Sequence, residues 1–314
     1  MRQRQYGVKS AYGDLRTVLM HRPGPELGLV KAHTLAEFNF DAPVEQAAFV
    51  AEYDAMWRLL QSHGVETVML TDVLADDEDA LGFINHRPNM TYTRDLAVVF
   101  GSGAVLMGPH LKGRWGDQRI VGRALRKLGI PILAAIEQPG FLEGGGVTLI
   151  GEDTVVASLC DRANETGTRV LRAAVLGQEV PYFLEVPLPF GEIHIDGAFM
   201  MVDADLCLVY EPVFELFPCM LYEAGRSEPR HVMFLEYLDR RGIKRIPITR
   251  EERRGGHLNV VVTQQGKRAV GFAGAQRIKT ELAKVGWQLD TFASDVLFVG
   301  NGGAHCMTCP LWIT

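Results

Sequence analysis

One pattern recurs along this chain of 314 residues: an amphipathic run that ends in glycine and is followed at once by a short apolar segment. Within each run, apolar residues at i, i+3, i+4 and i+7 predict a helix with one buried face, and the glycine stands where a helix end favours left-handed backbone. The apolar segment predicts a strand. Four copies are clear and comprise residues 52–70, 117–134, 230–248 and 276–292. A fifth, weaker copy comprises residues 166–188.

Paired β-type runs lie between these copies, each broken by a Gly or Asp turn typical of a hairpin. They comprise residues 96–108, 147–159, 199–210 and 259–272. The predicted unit is therefore hairpin, helix and strand, repeated about five times at a spacing of roughly 50 residues. No unit can close a core alone, because its helix has one apolar face and its sheet has two edges. A ring of five units and an open α/β sheet covered on both faces both satisfy this constraint.

The composition indicates one large globular domain, 1–314, that acts on small molecules. The chain is 47% hydrophobic and 22% charged, and its net charge of −6 gives none of the basic character that binding to nucleic acid or an anionic membrane needs. We expect no secretion signal and no membrane span, because the N-terminal charges precede no apolar segment. Five scattered cysteines indicate reduced thiols and a cytoplasmic location. The charged run 250–254 is expected to be a solvated loop.

The segment 301–309 carries the strongest chemical signal. Asn301 and two glycines predict a flexible turn, and His305 and Cys306 follow directly. A Gly-rich turn is a suitable setting for a nucleophilic thiol, although a buried core cysteine fits the same pattern. Cys306 and Cys309 also form a CxxC pair, but Pro310 follows where a redox motif would continue into a helix. We expect no metal here, because matched further ligands are lacking in the sequence.

Three titratable residues alternate at 192–197. If this segment is a strand, Glu192, His194 and Asp196 share one face, and a histidine flanked by carboxylates suits acid–base catalysis. A solvated edge strand would give the same alternation. Two other carboxylates, Asp95 and Glu143, also stand at the start of an apolar β-run.

In a ring of units, these equivalent positions would meet on the axis beside Cys306. Carboxylates around one cavity can hold a planar guanidinium through paired hydrogen bonds, and that cation would favour the Cys306 thiolate. The arrangement suggests attack of the thiolate on the guanidinium carbon, with His194 protonating the leaving amine.

Six ordered segments resemble the guanidine-modifying superfamily of arginine deiminase, dimethylarginine dimethylaminohydrolase and the amidinotransferases, over nearly the whole chain. The resemblance implies an α/β fold, the five-bladed pseudosymmetric α/β propeller (pentein) of ββαβ-type repeats around a central active site. The segments are VLMHRPGPELGLV (18–30), NMTYTRD (89–95), FLEGGG (141–146), CDRAN (160–164), HIDG (194–197) and GGAHCMTCP (302–310).

The resemblance also implies residue roles. Cys306 would be the nucleophile that forms a covalent amidino intermediate, with His194 as general acid and then base, and Glu143 supporting His194. Asp95 and Asp196 would grip the guanidinium. The residues assigned to the rest of the substrate are Arg162, Arg114, Asn301 and His305.

Two departures concern the amino-acid end of the substrate. Asn301 replaces an arginine of the deiminases, and Gly146 replaces an aspartate. A modified arginine or another guanidino compound is therefore an open alternative to arginine.

The predicted function is hydrolysis of a guanidinium group to a ureido product such as citrulline, with release of ammonia or an amine. The alternative is amidino transfer to an acceptor amine, and a non-catalytic sensor of guanidino compounds is a candidate from another class. No cofactor is expected, because the substrate brings its own electrophile. A homodimer is common among proteins of this superfamily.

Overall fold

Helices and strands alternate along the described part of the chain, which comprises residues 5–314 of a computed structural model. The α/β class is thereby confirmed. Residues 1–4 lie outside the described residues. They belong to the predicted domain 1–314 and to the N-terminal segment in which we expect no secretion signal. The strands are β1 Leu15–Met20, β2 Glu66–Met69, β3 Ala97–Val99, β4 Ala104–Leu106, β5 Ile132–Ala135, β6 Val147–Ile150, β7 Thr154–Leu159, β8 Tyr182–Pro187, β9 Phe199–Asp203, β10 Leu206–Val209, β11 Cys219–Glu223, β12 Arg230–Val232, β13 Lys244–Pro247, β14 Val261–Gln264, β15 Arg268–Phe272, β16 Gln288–Phe292 and β17 Cys309–Ile313.

Short helices accompany longer ones that cross from one strand to the next. The α-helices are α1 Leu35–Phe38, α2 Gln46–Ser62, α3 Leu70–Val73, α4 Glu78–Ile84, α5 Asp117–Lys127, α6 Glu165–Val175, α7 Phe234–Arg240, α8 Arg250–Arg254 and α9 Gln276–Lys284.

The strands of residues 5–314 form five small sheets that share one plan. In each sheet an antiparallel pair is followed by a helix and then by a strand that joins the pair in parallel, as in β3, β4, α5 and β5. Parallel pairing requires such a crossover, because a tight turn can only reverse the chain. The predicted unit of hairpin, helix and strand is therefore present in four of the sheets. In the fifth sheet the antiparallel pair is β17 and β1, which are not consecutive in the sequence.

The last strand pairs with the first. β17 runs antiparallel to β1, with Ile313 opposite Leu15 and Cys309 opposite Leu19, and β2 then joins β1 in parallel. The fifth unit is thus assembled from both ends of the described chain. This pairing fixes the loop that carries Cys306 against the first strand of the protein.

Apolar side chains pack between sheets. One buried cluster joins the β1–β2–β17 sheet to the β3–β5 sheet, and a second joins the β3–β5 sheet to the sheet that contains β6–β8. A third spans the β6–β8, β9–β10–β13 and β14–β16 sheets, and a fourth leads from β14–β16 back to β1. Each sheet therefore depends on its neighbours for its core.

Three segments differ from the sequence prediction. Residues 192–194 are irregular and a 3-10 turn follows at Ile195–Gly197, so the strand predicted at 192–197 is wrong. The helix predicted from residue 230 begins at Phe234, because β12 pairs with β11 and extends one sheet to five strands. The run 250–254 is helix α8 rather than a loop, because Thr249 and Glu252 form a capping box at its start.

No helix in the described range 5–314 combines the length and the apolar character that crossing a bilayer requires.

An aromatic cluster around α7 allows a test of this packing. The Phe214 ring stacks on Phe234 at 4.4 Å between centroids, and Phe199 meets Phe234 edge-on at 5.0 Å. Phe234→Ala should lower the free energy of unfolding by about 3–5 kcal/mol, because it leaves a cavity in the core. Urea unfolding measures this loss. The matched control is Phe190→Ala, at a side chain that is 97% exposed, with an expected change within about 0.5 kcal/mol. Equal losses in both variants would contradict the packing described.

Candidate active site

Corresponding positions of the five units converge on one site. In each unit, one residue of this site lies two to five positions before the first strand of the antiparallel pair. These residues are Asp95 before β3, Glu143 before β6, His194 before β9, Asn259 before β14 and Cys306 before β17.

His194 lies at the centre of the acidic groups. Its Nε2 is 2.9 Å from Glu143 Oε2, and its Nδ1 is 3.9 Å from both Asp95 Oδ1 and Asp196 Oδ1. Burial disfavours the imidazolium, but Asp95 and Glu143 outweigh burial and raise the pKa of His194. The imidazole is therefore suited to carry a proton that it can give to a leaving group.

Glu143 is fully buried and surrounded by donors. Its Oε2 lies 3.2 Å from Arg162 Nη1 and 3.5 Å from Arg114 Nη1, and its Oε1 accepts from the His110 backbone N–H at 3.0 Å. Burial alone would raise the pKa of Glu143, but the two guanidinium groups hold it well below its usual range. Glu143 is therefore an ionised carboxylate that orients and charges His194.

Arg114 occupies an unexpected place. Its side chain is 1% exposed and its Nη1 donates to Asp95 Oδ2 at 2.8 Å, so its guanidinium lies inside the acidic cluster. The other Asp95 oxygen accepts from the Gly145 backbone N–H at 3.1 Å. Both oxygens of Asp95 thus have partners within the protein. Arg162 lies next to Arg114 on the wall of the same cavity.

Cys306 faces this cavity with a thiol rather than a thiolate. Its Sγ lies 3.9 Å from Asp196 Oδ2 and accepts a hydrogen bond from Asn259 Nδ2 at 3.1 Å. Burial, followed by the charges of Asp196 and Asp95, raises the pKa of Cys306 far above its usual range. A cation placed against these carboxylates would reverse part of this effect.

His305 was predicted to bind substrate, but the structure places its side chain behind Asp196. His305 Nδ1 lies 2.9 Å from Asp196 Oδ2, and His305 also lines a second cavity, whose lining does not include Cys306. Burial alone would raise the pKa of Asp196, but the hydrogen bond from His305 together with the positive charges of His305, His194 and Arg94 lowers it. His305 therefore acts on the site through Asp196.

Asn301 and Glu192 lie at the edge of the site that contains Cys306 and His194. Asn301 has left-handed backbone (φ 57°), and its Nδ2 donates to the Asn39 carbonyl and to Asp41 Oδ1, each at 3.1 Å. This pair of bonds joins the Cys306 loop to the loop after α1. Glu192 pairs with Arg253 and stays outside the group formed by Asp95, Glu143 and His194.

Glycines in the segment 144–146 allow the loops to meet. A Cβ on Gly144 would lie 2.0 Å from the Arg94 carbonyl oxygen, and one on Gly145 would lie 2.5 Å from His194 Nδ1. Only glycine permits this approach without displacing backbone or the imidazole.

Sequence reasoning missed Asn259. It bridges two groups of the Cys306 loop, because its Oδ1 accepts from the His305 backbone N–H at 2.7 Å while its Nδ2 donates to Cys306 Sγ. The sequence contained a signal for Asn259, because it precedes β14 in the same way as Asp95 precedes β3.

Oxygen and nitrogen atoms of Asp95, Glu143 and His194 lie within 4.8 Å of one another, as metal ligands do. The Arg114 guanidinium, however, already supplies positive charge to both carboxylates. The donor set is therefore a poor fit for a metal ion, and the expectation of a site without metal stays a prediction.

A buried thiol, a histidine paired with a carboxylate and further acids around one cavity define the class of this protein as a guanidine-modifying enzyme. The sequence profile of one family, described as N,N dimethylarginine dimethylhydrolase, eukaryotic, matches residues 31–313. The chain belongs to this family, and it is an arginine deiminase-like hydrolase.

Known proteins resemble the chain over most of its length. An arginine deiminase of Mycobacterium avium (strain 104) is 21% identical over 403 aligned positions, which cover 98% of each chain. A structure of dimethylarginine dimethylaminohydrolase from Pseudomonas aeruginosa, a mutant complexed with citrulline, has a TM-score of 0.71 at 17% identity and covers 94% of this chain and 99% of that one. The N-terminal domain of a cyanobacterial arginine dihydrolase, bound to product, has a TM-score of 0.71 at 15% identity over 96% of this chain and 98% of that one. These structures show that the fold is shared.

The charge balance of the site can be tested on His194. Glu143→Gln should lower the pKa of His194, because it removes the carboxylate next to Nε2 and leaves burial to favour the neutral ring. The imidazole would then lose its proton at a lower pH than in the wild type, as followed by an NMR titration of its ring proton. Glu192→Gln is the control, since Glu192 pairs with Arg253, and it should leave the titration unchanged. A His194 titration that is the same in all three proteins would contradict the proposed role of Glu143.

Proposed function

We propose that this protein hydrolyses the guanidinium group of arginine or an arginine derivative through a covalent amidino intermediate on Cys306. The products would be a ureido compound, such as citrulline, and ammonia or an amine. The observation that carries the proposal is the placement of Cys306, His194 and Asp95 on one cavity. Two further carboxylates adjoin these residues: Glu143 lies 2.9 Å from His194 Nε2, and Asp196 lies 3.9 Å from the Cys306 sulfur. A planar cation fits such a group of carboxylates, and its central carbon is an electrophile.

The same proposal includes the architecture. Five sheets arranged as blades around an axis would form a single domain, 1–314, with the active site at one end of that axis. Two observations support this ring: the buried clusters connect the sheets in cyclic order, and residues of β3, β6, β9, β14 and β17 line one cavity.

Substrate binding would prepare the nucleophile. The Cys306 thiol is kept protonated by burial and by the charges of Asp196 and Asp95. A guanidinium between these carboxylates would offset their charge, lower the pKa of the thiol and so favour loss of its proton to solvent. The thiolate would then form only when the electrophile is in place.

In the first step, the sulfur of Cys306 would bond to the guanidinium carbon. The bond from this carbon to the leaving nitrogen would break as the His194 imidazolium gives its proton to that nitrogen. The result is a covalent amidino-thioether with a neutral His194 and a free amine or ammonia.

In the second step, water would attack the same carbon while neutral His194 accepts one of its protons. The carbon–sulfur bond would break and release the ureido product, and the other proton would leave to solvent. Glu143 would stabilise the imidazolium in both steps.

The amidinotransferase alternative shares the first step and differs in the second, where an amine replaces water. The relatives and structures reported above are named as hydrolases, and this favours water as the acceptor. A homodimer and a cytoplasmic location stay predictions.

The deciding experiment offers the purified protein arginine, methylated arginines or agmatine, with and without glycine or lysine as acceptor. We expect ureido product and ammonia or amine without any acceptor, and the preferred donor identifies the substrate. Cys306→Ala should lose at least 1,000-fold in turnover, roughly the scale of removing a covalent nucleophile. Cys207→Ala is the matched control, at a buried core thiol, and should keep its activity.

The result can contradict the proposal in two ways. Product that forms only with an acceptor amine would establish an amidinotransferase. Unchanged turnover in Cys306→Ala would overturn the covalent mechanism, provided that circular dichroism shows the variant folded.

Arg162 is the proposed partner of the substrate carboxylate. Arg162→Leu should reduce kcat/KM for arginine more than for agmatine, which lacks the carboxylate, by roughly 10- to 100-fold in the ratio, the scale of one charge-assisted hydrogen bond. The ratio is the informative quantity, because Arg162 also contacts Glu143 and its loss affects both substrates. Arg119→Leu, at an exposed arginine, controls for the change in net charge. An unchanged ratio would exclude Arg162 as the carboxylate partner.

A further inference from the structure

A second cavity lies behind the active site. It has a volume of about 50 Å³ and is lined by the first strands of all five sheets and by residues that precede β1. His305 links it to the active site, because His305 lines this cavity and its Nδ1 contacts Asp196, which lies 3.9 Å from the Cys306 sulfur. Most of the residues that line the cavity are apolar, and Arg94 contributes a positive charge to it.

The guanidinium of Arg94 in this cavity has no carboxylate in direct contact, although Asp196 and Asp95 act on it at longer range. Arg94 Nε donates to the His305 carbonyl at 3.1 Å, whereas its two terminal nitrogens donate to no acceptor among residues 5–314. Within the same range, no Asp or Glu oxygen lies within 4.0 Å of the guanidinium. Burial lowers the pKa of Arg94, which reflects the cost of a cation in these surroundings.

A cation on an apolar wall requires either water or a counter-charge. At about 50 Å³ the cavity has room for at least one water molecule, so a monoatomic anion also fits. We propose that this cavity is a binding site for one small monovalent anion, such as a halide, held by the terminal nitrogens of Arg94.

The anion would act on the charges behind Cys306. The groups that face Arg94 electrostatically are Asp196, Asp95, Cys306 and Cys309, and Arg94 in turn lowers the pKa of His305 and of Asp196. An anion at Arg94 would offset this cation, so the site is placed to adjust the charge of the pair that contacts the nucleophile.

Crystals of the wild-type protein grown in sodium bromide provide the direct test, because bromide scatters anomalously. We expect an anomalous peak within hydrogen-bonding distance of the Arg94 terminal nitrogens. A peak only in the Cys306 cavity, near Arg162, would mean that the anion binds the substrate site, and it would overturn the proposal. Water at Arg94 without an anomalous signal would also overturn it.

Stability in solution gives a second readout that does not depend on activity. At constant ionic strength, replacing gluconate by chloride should raise the Tm of the wild type along a saturating curve, because a ligand that binds only the folded state stabilises it. Arg94→Met should lose this saturable rise, and Arg119→Met, which removes the same charge from the surface, should keep it. The same chloride response in all three proteins would contradict the site. If Arg94→Met does not fold, the bromide experiment on the wild type decides.

Discussion

No sheet of this protein can bury its own apolar surface, and each sheet therefore depends on its neighbours. The buried clusters combine apolar side chains from neighbouring sheets. The constraint has a direct chemical result. Because neighbouring units must pack in the same way, the loops that precede their first strands arrive at the same end of the assembly. The active site is formed by this convergence, with one side chain contributed by each unit.

Charge compensation then determines what the site can do. Carboxylates that share a small buried volume repel one another, and the buried guanidinium groups of Arg114 and Arg162 offset this repulsion. The three groups respond differently: the pKa of Glu143 is lowered, whereas the pKa values of His194 and Cys306 are raised. The missing element is a cation beside Asp196 and the sulfur. In the proposed mechanism, a guanidinium substrate supplies that cation together with the carbon that the sulfur attacks.

The sequence was sufficient for the repeating unit and for most of the site. Helix ends at glycine and hairpins with Gly or Asp turns follow from local backbone preferences, so they could be predicted unit by unit. Asp95, Glu143, His194 and Cys306 were found because they occupy corresponding places before apolar runs. The position of Arg114 could not be predicted, because its partners come from other units and only tertiary packing selects them. The segment 192–197 misled for a local reason, since an irregular stretch and a strand can share the same alternation of polar and apolar residues.

The pairing of β17 with β1 has one more consequence. The first and last strands of the described chain are neighbours in one sheet. In the ring of five units proposed above, the order of the units therefore has no physical starting point. A circular permutant that joined these ends through a short linker and opened the loop between two other units would present the same five side chains to the cavity. The nucleophile would then lie in the interior of the chain, with its chemistry unchanged. In the proposed ring, the chemistry therefore depends on the order of the five side chains around the cavity and not on their order along the sequence.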